Sequence, residues 1–197
     1  MYARSLLSDL PESIREAARE PYGARAVIYC LLLDKATGLR EQQLALLQSR
    51  ADKDVYALTI RLMPQMDALE KRFRLPIIDI AIPALKQLSD SQYPSFKGNL
   101  VALINMDARV DLFEWSLQKI LFSHLDGHFH KTPLTAARHA VPGPLTREFE
   151  LVLSVIAHAG ATDQSSAQSA FDASVQVIDA KGMALLAQDQ IRLADLD

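Results

Sequence analysis

The chain has 197 residues, with 21 Lys+Arg against 24 Asp+Glu, a formal net charge of -3 and a pI near 5.9. That balance argues against a nucleic-acid binder held by a basic face, and an apolar share of 49% with 23% charged residues excludes intrinsic disorder as a description of the whole. One large or two small domains are expected, and 7 Gly, 9 Pro and 7% aromatics in a chain rich in Leu and Ala lean toward helices.

Pro11 suits a first helical turn, and Ile14, Ala17 and Ala18 line one face of a short helix running to about Glu20. Pro21 opens a second helix whose apolar residues wrap nearly all round it from Ala26 to Leu33, the mark of a central, buried element. Within it lies Cys30, which, as the chain's single cysteine, forms no internal disulfide and reads as a small buried hydrophobe. The apolar run around Cys30 is too short to span a membrane, and the N-terminus carries no apolar signal region. A cytosolic protein or a soluble piece of a larger one is therefore expected.

Leu39, Leu44 and Leu47 stripe a third helix; Val55, Leu58, Ile60 and Leu62 stripe a fourth that is expected to end before Pro64. Pro76 opens LPIIDIAIPALKQL, where Pro83 allows two short helices or one bent helix. After SDSQYPSF, the residues Leu100, Val101, Leu103 and Ile104 mark a helix that stops near Asn105. Asp111 and Glu114 form a capping box for the clearest helix, whose stripe is Phe113, Leu117, Ile120, Leu121 and His124 and which is expected to end at Asp126. Residues 126–144 have no period and read as a long loop, either a contact surface made pH-sensitive by His128, His130 and His139 or a plain connector. A helix over 145–159 faces Phe149, Leu151, Val152, Val155 and Ile156 inward, another runs over 167–178, and Met183, Leu186 and Leu193 continue the amphipathic pattern in a tail that ends mid-pattern. The fold class is thus all-α, an array of about nine to eleven short antiparallel helices, with residues 1–75 as helical hairpins and 76–197 as a second part packed with them in one globular unit.

Chemistry is harder to find. His124, His128 and His130 could offer metal ligands, but Gly127 interrupts the helix face between the first two, and His124 on the apolar stripe reads as a packed, hydrogen-bonded core residue. Asp107, Asp111 and Glu114 have the flavour of an oxygen-ligand loop, yet Arg109 stands where a third ligand belongs and helix capping accounts for Asp111 and Glu114. Both trios remain as secondary metal alternatives; no catalytic, cofactor-binding or metal residue is assigned. Lys71, Arg72 and Arg74 read as a solvated helix end, and no HExxH, phosphate loop or nucleophile elbow is present.

The runs LPESIREAAREPYGARAVIYCLLLD (residues 10–34) and FRLPIIDIAIPALKQLS (73–89) resemble the C-terminal helical region of bacterial membrane-anchored zinc metallopeptidases of the HtpX-like class, peptidase family M-48. INMDARVDLFEWSLQKILFSHL (104–125) resembles the same region and is similar to TerB-like helical domains, with Asp107 in their acidic turn and Ala108 where they carry Gly. The resemblance implies a TerB-like portion in the middle and a fragment of a larger membrane protein on the cytoplasmic side of the inner membrane. The zinc and the HExxH residues would belong to an upstream domain, and this chain would be a non-enzymatic accessory domain. Its partner would be its own upstream protease or a protein substrate, with no nucleic acid and with oligomerisation possible. The alternative is a free-standing TerB-like stress-response module that binds metal through Asp107, Asp111 and Glu114.

Overall fold

Residues 9–106, 112–130, 146–178 and 182–191 are described by the structure, a computed structural model. Among them stand nine α-helices, two 3-10 turns and no strand, as the helical spacing of the apolar residues requires. In chain order these are α1 (Glu12–Ala18), α2 (Pro21–Leu32), α3 (Thr37–Arg50), α4 (Lys53–Ala68), a 3-10 turn (Lys71–Phe73), α5 (Arg74–Leu85), α6 (Gln92–Ile104), α7 (Leu112–Phe129), α8 (Thr146–Gly160), α9 (Gln164–Val177) and a second 3-10 turn (Gln188–Gln190). No described helix is long and apolar enough to cross a membrane. The chain divides into two units, Met1–Pro133 and Leu134–Asp197, so residues 1–75 and 76–133 share the first.

In the first unit α2 is the central element, because apolar residues all round a helix must be covered from all sides. Every residue from 23 to 30 is buried, with α1, α4, α5 and α6 packed around the helix. The approach of α1 is close enough that a Cβ on Gly23 would lie 2.1 Å from the Ala17 carbonyl oxygen, so only glycine fits there. Arg25, although charged, is 3% exposed on the same helix; it ion-pairs with Asp52, and its Nε donates to the Pro21 carbonyl at 3.4 Å. Asn99 Nδ2 of α6 donates to the Tyr29 hydroxyl at 3.2 Å and ties another flank to α2.

The prolines break less than their chemistry suggests. α4 was expected to stop before Pro64 but continues through it to Ala68, and α5 is one helix through Pro83. An interior proline costs a helix about 3 kcal/mol. Both rings face outward while Leu62 and Met66, and Ile82, Ala84 and Leu85, are buried on either side, and that burial outweighs the loss. Pro76 sits in the first turn of α5, where the missing N–H has no intrahelical acceptor anyway. Ile60, expected inward, is exposed, and Thr59 takes the buried position with its hydroxyl bonded to the Val55 carbonyl at 2.8 Å.

α7 runs past its expected end at Asp126 to Phe129, with Gly127 inside it. The extra turn is held by packing: Leu125 is fully buried and the Phe129 ring stacks on Tyr93 of α6 at 4.2 Å. Residues 126–129 of the expected loop are therefore helical, and 131–145, with His139, lie outside the described residues. The buried stripe of α7 is Leu117, Leu121 and Leu125, with Phe113 and Ile120 half-buried against the core; His124 is exposed, which corrects its reading as a core histidine.

In the second unit α8 packs on α9, burying Leu151, Val155 and Ala157 with Ala167 and Phe171. Ile156 was expected inward but is 56% exposed. Asp163 caps α9 by accepting from Ser166 N at 2.8 Å, and these bonds hold its carboxyl below the usual carboxylate range. The tail does not continue as an α-helix over 183–187. Gly182, at φ 81, turns the chain into an extended segment whose backbone is satisfied by α8 side chains: Ala184 N donates to Glu150 Oε1 at 2.8 Å and Leu186 N to Ser154 Oγ at 3.0 Å. The Leu186 carbonyl accepts from His158 Nε2 at 2.8 Å.

Candidate functional site

Helix ends, rather than helix faces, build a concavity in the first unit. α2 and α4 finish at its rim, α5 and α7 begin there, and the 3-10 turn lies between, enclosing about 340 Å³. Its floor is apolar: Phe73, Ile77 and Met66 are buried, and Leu69 and Phe113 are half-buried against the core. Its rim is charged, with Asp34, Lys35, Asp67, Glu70, Lys71, Arg74 and Glu114.

The wall at residues 32–35 is fixed by one buried amide. Where α2 ends, Gln43 of α3 donates through Nε2 to the Leu32 carbonyl at 2.9 Å and accepts from Asp34 N at 2.7 Å through Oε1. A helix C-terminus leaves carbonyls unpaired, and Gln43 satisfies one of them inside the protein. Arg40 reinforces the same corner. Its guanidinium grips Asp67 bidentately, Nη1 to Oδ2 at 2.6 Å and Nη2 to Oδ1 at 2.9 Å, while its Nε donates to the Asp34 carbonyl. On the far side Arg74 lies over the Phe113 ring at 4.4 Å and ties α5 to α7.

Cys30 also lines the cleft, but its chemistry is muted. Burial, helped by the Asp67 charge, pushes its thiol up to about 12, and Sγ donates to the Thr59 carbonyl at 3.4 Å, so it is a neutral thiol and no nucleophile at neutral pH.

A second polar group sits where α6 meets the end of α7. Asp126 accepts from the Tyr93 hydroxyl at 2.6 Å and from Lys97 Nζ at 2.7 and 2.8 Å, with His130 Nε2 at 3.7 Å. Partial desolvation raises the Asp126 carboxyl, but the bonds from Lys97 and Tyr93 and the charges of Lys97 and His130 outweigh it, leaving the group below its ordinary range. Burial and the neighbouring carboxylate raise the Tyr93 phenol well above its usual range. Its partners span two helices, and this cluster acts as a clamp.

The sequence-based candidates fare unevenly. Asp107 and Asp111 lie outside the described residues, while Glu114 lines the cleft and is engaged in an interaction of its own. His128 is exposed with its ring edge-on to Phe129 at 4.9 Å, and His130 is exposed beside Asp126. Among the described residues, which include His124, His128 and His130, no three His, Cys, Asp or Glu side chains gather in an arrangement that could hold a metal ion. Of the three cations read from sequence as a solvated helix end, Lys71 and Arg72 are exposed, and Lys71 and Arg74 also border the cleft. The signal for this was Phe73 between them, an aromatic that turns inward. Gln43, Arg40 and Asp67 carried no sequence signal, because their meaning depends on which helix ends converge.

Comparison with protein-family models, curated proteins and solved structures finds no match to this chain.

Proposed function

We propose that the chain is a non-catalytic helical interaction module of a membrane-anchored zinc metallopeptidase of the HtpX-like class, working by protein–protein contact through the cleft between α2, α4, α5 and α7. The observation that carries the contact reading is that cleft: an apolar floor inside a polar rim is the make-up of a recognition surface, and the Gln43 and Arg40 bonds pre-organise its wall. The peptidase reading is supported by the resemblance of residues 10–34 and 73–89. In it, zinc and hydrolysis belong to another part of the parent protein, and no step of hydrolysis runs through this chain's residues.

The reading of the coding frame preceding Met1 tests the assignment. An HExxH motif and apolar spans of about 20 residues are expected there; an in-frame stop with neither would overturn it. The purified chain should also leave casein intact with or without a chelator. A TerB-like metal module would instead bind calcium or zinc stoichiometrically, with binding lost in Glu114→Gln.

A further inference from the structure

We propose that the cleft takes an extended peptide segment whose apolar side chains fill its floor and whose carboxylates meet Lys35 and Lys71; the peptide class rests on the contact reading above, and the charge preference on the rim itself.

The rim carries acids and bases in similar number, so the sign of its ligand is decided by which charges are already committed. Asp67 is neutralised by the bidentate Arg40, and Glu70 is paired with Arg72 at 2.9 Å. Asp34 accepts the Ala36 N–H at 2.5 Å, which leaves its charge in place, and Glu114 is engaged within the protein. Among the cations, Arg74 is spread over the Phe113 ring. Lys35 reaches only a backbone carbonyl, that of Asp67, at 3.3 Å, and exposed Lys71 has no ion pair among the described residues. With Asp67 and Glu70 set against Arg40 and Arg72, Asp34 and Glu114 remain against Lys35, Lys71 and Arg74, so the balance of the rim is a single positive charge.

Two helix C-termini end at this rim, and their partial negative charge would by itself favour a cation. Here that tendency is blunted: the Leu32 carbonyl is taken by Gln43, and the Asp67 carbonyl by Lys35. A volume of about 340 Å³ lies at the lower end of the ~300–1,000 Å³ that ligand pockets occupy, room for a few side chains. Apolar side chains resting on Phe73, Ile77 and Phe113 would leave flanking carboxylates at the two lysines.

Fluorescence anisotropy with two labelled octapeptide pools tests this, one alternating Leu or Phe with Glu and one with Lys in place of Glu. The acidic pool is expected to bind the intact chain at least tenfold more tightly than the basic pool, with affinity falling as salt is raised. Lys71→Glu and Lys35→Glu, both on exposed side chains, should each reduce that affinity about tenfold, while Lys71→Arg retains it; circular dichroism checks that each variant is folded. Equal binding of the two pools, tighter binding of the basic pool, no binding of either, or indifference to Lys71→Glu would overturn the proposal. An upstream frame without HExxH would remove the peptidase assignment and leave this charge preference standing, so the two failures are separable.

Discussion

Gln43 shows how much a single buried amide decides. Its side chain satisfies one carbonyl and one N–H where α2 stops, and an apolar replacement would leave both unpaired inside the protein. Each unsatisfied buried group costs about 1–3 kcal/mol. Gln43→Leu should lower stability by about 2–4 kcal/mol in chemical denaturation, and an unchanged midpoint would show that water replaces the amide. Asp126 makes a second prediction, about acid. Its folded-state pKa is depressed, so its contribution is present above the unfolded-state pKa of about 4 and is lost as pH falls through the lower folded value. Acid titration of Asp126→Asn should therefore show a weaker stability loss below about pH 4 than the parent chain. Neither residue was legible in the sequence: a glutamine on an amphipathic helix and an aspartate before a glycine gain their roles from partners 9 to 11 and 29 to 33 positions away.

The helices themselves were legible, since a period of 3.6 in apolar residues survives in any local window. What misled was local punctuation. Pro64 and Gly127 are stop signals only where packing is too weak to carry the helix through, and here Met66 is buried just beyond Pro64 and Phe129 stacks on Tyr93 just beyond Gly127. His124 does share a face with Phe113 and Ile120, but that face is only the half-buried edge of the helix; the buried line, centred further round, is Leu117, Leu121 and Leu125. Leu117→Ala on that line should cost about 2–5 kcal/mol, read from the denaturation midpoint. At the α1–α2 crossing, a methyl at Gly23 meets backbone rather than a flexible side chain, so one helix must move. Gly23→Ala should destabilise by about 1–3 kcal/mol or more, despite alanine's better helix propensity. A Gly23→Ala variant as stable as its parent would contradict the close approach.

At the scale of the molecule, the first unit brings charged and apolar side chains together at the ends of four helices, and the proposed recognition surface rests on that placement. The fold class could be read from periodicity alone, whereas the cleft could not, because it is made by the convergence of Leu32, Met66, Phe73 and Phe113 from distant parts of the chain. The central claim is that this cleft contacts a zinc metallopeptidase. Photo-crosslinking in the native host tests it directly, with a photoreactive residue placed at Lys71 and, as a control, at the exposed Ser95 of α6. The account predicts an adduct from position 71, in the same polypeptide or another, to a sequence carrying HExxH and membrane spans, and none from position 95. Equal adducts from both positions, or adducts from position 71 only to proteins without HExxH, would contradict it.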